Sequence, residues 1–115
     1  AIGNDYGFEQ VFSKQVQALA EEGDVLVAIS TSGKSPNVLS AVQAGTERKV
    51  KIVGLLGRDG GDILPFCKQA LVVEHERTAF IQEIHIAAGH LLCTLVDYYL
   101  FEAVAELQPY LEAEM

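Results

Sequence analysis

The chain is short of positive charge. Lysine and arginine number 8 against 16 aspartate and glutamate, a net charge of −8, and no basic cluster occurs. Nucleic acid and anionic membrane surfaces are gripped by such clusters, so neither is an expected partner. Cysteine is scarce too: Cys67 and Cys93 stand in unrelated apolar contexts without metal-ligand spacing. That usage suits free, buried thiols in a reducing cytoplasm rather than a disulfide. No uninterrupted apolar run approaches membrane-spanning length, which reads as a soluble globular domain. A signal-peptide pattern is lacking, because the opening Ala1-Ile2-Gly3-Asn4 has neither a basic region nor an apolar segment. An initiator methionine is lacking as well, and residues before Ala1 are expected.

What is present is a chain of 115 residues, half of them apolar, enough for one domain with a core. From Tyr6 to Ala20, Phe8, Val11, Phe12, Val16 and Leu19 recur at helical spacing, and Asn4 and Asp5 just ahead are placed to cap that helix. Gly23-Asp24 turns the chain into a strand, Val25–Ile29, and a helix from Pro36 to about Glu47 follows, packing through Val38, Leu39, Val42 and Ala44–Gly45. A second strand, Lys51–Leu56, closes in the turn-rich Gly57-Arg58-Asp59-Gly60-Gly61-Asp62. A helical turn around Ile63–Cys67 leads to a third strand, Ala70–Val73. Continuous apolar strands separated by helices predict a parallel sheet covered on both faces. From Thr78 one long helix is predicted, about Ala79 to Glu106, with a broad apolar face through Ile81, Ile84, Ala88, Leu91, Leu92, Leu95 and Val96. Tyr98 to Phe101 extend that face beyond what a small sheet covers, which suggests packing against other subunits. The acidic end, Glu102 to Glu114, reads as a solvated helix interrupted by Pro109.

The stretch with chemistry in it is Ser30-Thr31-Ser32-Gly33-Lys34-Ser35-Pro36, between the first strand and the helix after it. A helix N-terminus offers unpaired N–H groups and about half a positive charge. Ser35 suits the cap, Pro36 suits the first helical position, and Gly33 lets the backbone turn tightly beside a ligand. Gly33-Lys34-Ser35 matches the end of a P-loop, but the earlier glycine that motif needs is Ala28. The glycines after the second strand do not fit G-x-G-x-x-G, so a dinucleotide site is poorly supported. An ordinary strand-to-helix connection with a serine cap is the alternative. Three hydroxyls in a row are more than a cap needs, which favours binding of a phosphate ester.

Asn4-Asp5, Ser30-Thr31-Ser32-Gly33-x-Ser35 and Thr78-Ala79-x-Ile81-Gln82-Glu83-x-His85, with His90 beyond, together resemble the sugar isomerase (SIS) family. Within it the chain looks like the phosphoheptose isomerases, over Asn4 to about Phe101. The resemblance implies an α/β fold, a three-layer sandwich with a parallel sheet of the flavodoxin-like or Rossmann-like kind, and a single SIS domain over residues 1–115. It implies that Ser30, Thr31, Ser32 and Ser35 hold the substrate phosphate, and that Asn4, Asp5 and Thr78 contribute further substrate contacts. Gln82 would touch substrate and, in zinc-containing members, the metal; His90 would be a catalytic acid–base group or a zinc ligand. Homotetramers with sites at subunit interfaces are implied as well. Family members carry an earlier helical segment with a His and, four residues on, a Glu that is the usual candidate base. This chain has no such pair, so that helical part is expected ahead of Ala1, and the chain alone is expected to be inactive. Some members place an Asp where Ala79 stands, which leaves one expected hydroxyl contact without its acceptor.

The activity implied is isomerisation of sedoheptulose 7-phosphate to D-glycero-D-manno-heptose 7-phosphate in the cytoplasm, for heptose precursors of lipopolysaccharide. Gln82 and His90 are eight residues apart, so on one ideal helix they lie about 12 Å apart and about 80° around. His75 and His85 read as structural. A competing reading is a tetrameric binding module of the replication-initiator-associating type, which shares the Ile-Gln-Glu stretch but places Asn where this chain has His90. A third is a sugar-phosphate sensor without turnover.

Overall fold

The computed structural model describes residues 1–114. It divides into two units, Ala1–Gln82 and the part from Glu83 onward.

The first unit is built on three parallel strands in sequence order, β1 (Val25–Ser30), β2 (Lys51–Gly57) and β3 (Gln69–Val73). Val27 pairs with Val53 and Ile29 with Leu55; Leu55 in turn pairs with Leu71. Alternate residues therefore line one face. Leu26 and Ala28 of β1, Ile52 and Leu56 of β2 and Val72 of β3 meet Val42 of helix α3 (Pro36–Glu47), Val50 and Ile63 in the principal core. A smaller cluster, Val16, Ala41 and Ala44, joins α3 to helix α2 (Ser13–Leu19). Gly45 lets β2 approach α3, since a β-carbon there would stand 3.0 Å from Ile52 Cδ1.

The limits of α3 and the three strands follow the sequence closely, because continuous apolar runs and a serine–proline start leave little freedom. Four expectations are corrected. First, no helix runs unbroken from Tyr6 to Ala20. A short helix α1 (Ile2–Tyr6) stops at Gly7, whose φ of 95° no helix accommodates; a 3₁₀ turn at Phe8–Gln10 follows, and then α2. Asn4 and Asp5 consequently lie inside α1 rather than capping a later helix; the Asn4 amide donates to the Asp5 carboxylate at 3.1 Å. Second, the sheet is covered fully on one face only among the described residues. On the other, Val25, Val27 and Ile29 of β1 and Leu71 of β3 are exposed, because α2 and α3 share the opposite side.

Helix α4 (Thr78–Asp97) starts in the first unit and continues into the second, where it passes into a π-helical turn at Tyr98–Glu102. Third, then, the long helix stops short of Glu106: Ala103 leaves helical geometry at φ −129°, and its N–H reaches back to the Tyr98 carbonyl. Helix α5 (Val104–Glu114) resumes and carries Pro109 within it, so the acidic end is not interrupted there. Fourth, Thr78–Glu102 makes 25 helical residues that are by length and composition long and apolar enough to cross a membrane. Linear inspection misses this because isolated polar residues such as Glu83 and His90 break the run in sequence without making the helix polar. The same composition suits a helix packed among subunits.

Candidate phosphate-binding site

The parallel strands end at the loop Ser30–Ser35, and α3 begins there. The Ser30 hydroxyl is buried at the end of β1 and stands 2.7 Å from the Ser35 hydroxyl. Ser30 Oγ also accepts the Gly33 N–H at 3.1 Å, while Ser32 Oγ accepts the Lys34 N–H at 3.1 Å. Ser35 occupies the N-cap of α3, as its position suggested, yet its side chain makes no capping bond; it is spent on Ser30. The helix's leading N–H groups are therefore not consumed by a serine, although Asn37 Oδ1 takes the Val38 N–H at 2.9 Å. Ser30 and Ser35 share two hydroxyl protons, and their mutual bond uses one. The other is left to donate to a ligand.

Thr31, Ser32 and Ser35 are half-buried, with Lys34 the one exposed cation in the loop. The loop is thus a cradle of hydroxyls at a helix N-terminus. Such a cradle binds a phosphate through hydrogen bonds and the helix dipole, in keeping with so acidic a chain.

The loop is held from behind. Gly33, at φ 69°, gives its carbonyl to the Ile63 N–H at 3.0 Å. A β-carbon on Gly33 would run into the Gly60 carbonyl and stand 2.8 Å from the Gly61 nitrogen. One on Gly57 would strike the Thr31 carbonyl and the Ile81 side chain at 2.7 Å. The stretch Gly57–Asp62 was legible as a turn, but its seat against the serine loop was not. The available signal was topological: neighbouring parallel strands end on the same side, so the turns after β1 and β2 meet there.

The other predicted site residues are dispersed. Asn4, Asp5, Thr78 and Gln82 are exposed in the first unit, Thr78 and Gln82 on the first turns of α4. His90 is exposed in the second unit and His85 is buried there, 5 % exposed. His75 lies in the exposed connection before α4, where its Nδ1 accepts the Arg77 N–H at 2.9 Å. Among the described residues no three His, Cys, Asp or Glu side chains gather into a set able to hold a metal ion. A zinc site takes four ligands, so Gln82 and His90 do not make one by themselves. Cys67 lies under Gly54 at the sheet, and burial raises its thiol pKa. It is a packing residue.

Comparison with known proteins converges on one group. A family model described as SIS domain matches residues 1–57. A phosphoheptose isomerase from Solidesulfovibrio magneticus is 63 % identical over 112 residues, which cover 97 % of this chain and 54 % of the relative. One from Nitratidesulfovibrio vulgaris strain Miyazaki F is 60 % identical over 114 residues, covering 99 % and 55 %. The solved phosphoheptose isomerase of Neisseria gonorrhoeae superposes with a TM-score of 0.79 at 56 % identity, over 84 % of this chain and 55 % of that one. The chain thus spans about half the length of the curated relatives it matches.

Proposed function

Because this chain belongs to the SIS domain family, we propose that it carries the phosphate-binding part of an isomerase. The reaction is conversion of sedoheptulose 7-phosphate to D-glycero-D-manno-heptose 7-phosphate, in the cytoplasm and toward the heptose of lipopolysaccharide. The observation that carries this reading is the Ser30–Ser35 cradle, with a donor proton left over from the 2.7 Å hydroxyl pair. The proteins named phosphoheptose isomerase at 60–63 % identity support it.

In that reaction a proton leaves C1 of the ketose, an enediolate spans C1 and C2, and a proton returns to C2 as the carbonyl moves to C1. Ser30, Thr31, Ser32 and Ser35 fix the distant phosphate, turning its binding energy into orientation at the reacting carbons. Asn4, Asp5 and Thr78 hold sugar hydroxyls, and Gln82 meets the reacting end. His90, an imidazole able to take up and give back a proton, moves it between the carbons. Zinc would need donors beyond Gln82 and His90. No step depends on it here. The exposed apolar side chains of α4, Leu91, Leu92, Leu95 and Val96 among them, suit burial in a homotetramer.

The test is an isomerase assay on the intact protein with sedoheptulose 7-phosphate, alongside its His90→Gln variant. Turnover by the parent and a fall of about 10²–10⁴ in kcat for the variant are expected. Near-normal turnover by the variant removes His90 from the mechanism. A parent that binds sugar phosphate saturably without making product is a sensor, not an isomerase.

A further inference from the structure

We infer that the Gly57–Ile63 turn is the positioning element of the phosphate cradle, setting the serine loop's shape by backbone contact from behind. The inference rests on the phosphate-binding reading above and extends it to residues that touch no substrate.

A loop of small hydroxyl residues has little side-chain packing to hold it. Hydroxyl donors must nevertheless stay within a few tenths of an ångström of the phosphate oxygens to act as donors. Within the loop it is restrained by short side-chain bonds, Ser30 to Ser35, Gly33 to Ser30 and Lys34 to Ser32, and by the Gly33 N–H on the Ser30 carbonyl at 3.2 Å. From outside, the Ile63 N–H holds the Gly33 carbonyl at 3.0 Å, and Ile63 is itself fully buried in the core. That bond ties the middle of the loop to the least mobile part of the unit.

The contact is backbone against backbone on both sides. A β-carbon on Gly61 would strike the Gly33 carbonyl and stand 2.9 Å from Gly33 Cα, just as one on Gly33 would strike Gly60. Two chains this close leave no room for a methyl group, and neither has a flexible side chain to swing aside. Gly33, Gly60 and Gly61 all have positive φ, at 69°, 88° and 55°. Glycine is therefore required by space and by conformation together. The turn is in turn fixed by the exposed Asp59, whose carboxylate accepts the Gly61 N–H at 2.9 Å, and by the Gly60 N–H on the Gly57 carbonyl at 2.9 Å. Further back, Gly57 packs under the Thr31 carbonyl. Thr31 and Gly33 are thus both set by one seven-residue segment that presents no hydroxyl of its own.

A displaced loop loses its grip on phosphate while the rest of the sugar site is untouched. The intact protein with Gly61→Ala is accordingly expected to show KM for sedoheptulose 7-phosphate raised about ten- to hundredfold, with kcat changed far less. Inorganic phosphate, used as a probe, should lose its competitive inhibition in parallel. Unphosphorylated sedoheptulose, however poor a substrate, should be turned over equally by parent and variant. A role confined to stability would depress both substrates alike and leave KM unchanged. Asp59→Ala, an exposed change that loosens the turn without adding bulk, should give a smaller shift in the same direction, and it decides the matter if Gly61→Ala does not fold. Unchanged KM and phosphate inhibition in a folded Gly61→Ala, or in Asp59→Ala when that variant decides, overturn the inference. A parent protein indifferent to phosphate overturns the cradle itself, and the positioning role with it.

Discussion

The two units of this chain keep their apolar residues in opposite ways. In the part up to Gln82, Val42, Leu56, Ile63 and Ile81 are fully or almost fully enclosed, and two clusters join sheet to helices. From Glu83 onward most of the large apolar residues stay exposed, from Leu95 at 38 % to Phe101 at 78 %, and Leu92, Leu95, Val96, Leu100 and the half-buried Tyr99 and Leu107 line an open groove. One unit closes a core of its own; the other displays a surface. The lesson is that hydropathy sets how much a segment has to bury but not whether its own chain provides the cover.

The sharpest way to break this contrast is at Leu56. Leu56→Ala should cost about 2–5 kcal/mol of unfolding free energy, because a fully enclosed site cannot collapse around the lost volume. With the exposed α4 face buried in the proposed oligomer, Leu92→Asp should instead reduce oligomer size in sedimentation while leaving the first unit's fold intact. A cost at Leu92 in dilute monomer equal to that at Leu56 would erase the distinction. Next comes Ser30→Ala, which removes the hydroxyl bonded to Ser35 and to the Gly33 N–H and leaves that N–H its 3.2 Å bond to the Ser30 carbonyl; about 0.5–1.5 kcal/mol is expected by denaturant titration, together with weaker phosphate binding.

Cys67 gives a smaller, pH-dependent effect. Burial raises its pKa from the ordinary 9.0, so above that pH the unfolded chain gives up its proton first and binds fewer protons than the folded one. Stability should fall as pH rises through and beyond 9.0, and Cys67→Ala should abolish that part of the decline. Alkylation of the native thiol should be slow until the same range. An identical alkaline decline in both proteins would show that Cys67 is not its source. The least effect is expected at Arg58, whose 3.9 Å approach to Glu76 is solvent-exposed on both sides; Arg58→Ala should change stability by less than about 0.5 kcal/mol.

The Asn4-Asp5 pair illustrates how a motif is easier to notice than to place. Its spacing to the next apolar residues suggested a cap, but Gly7 breaks the helix and puts both residues on a separate turn. Ser35 was placed correctly at the head of α3, yet its hydroxyl goes to Ser30 instead of to the helix. For Ser35 the backbone position was local and legible and only the side-chain partner was missed; for Asn4-Asp5 the break at Gly7 moved the backbone as well. His90 and Gln82 were picked out by resemblance to a family, and periodicity alone would have left both as unremarkable positions on an apolar helix.

By itself the amino-acid order determined the three strands, the extent of α3, the parallel α/β class and the hydroxyl-rich loop, because apolar runs, proline and glycine act on their near neighbours. It also determined that the last helices carry more apolar surface than a small sheet needs. Only the tertiary structure decided that Gly60 and Gly61 lie against Gly33, that Ser30 and Ser35 hydrogen-bond to one another, and that one sheet face is incompletely covered among the described residues. The glycine contact joins backbones more than 25 positions apart, the serine pair closes a loop of five, and the sheet face depends on where the helices pack; each is settled by contact in space.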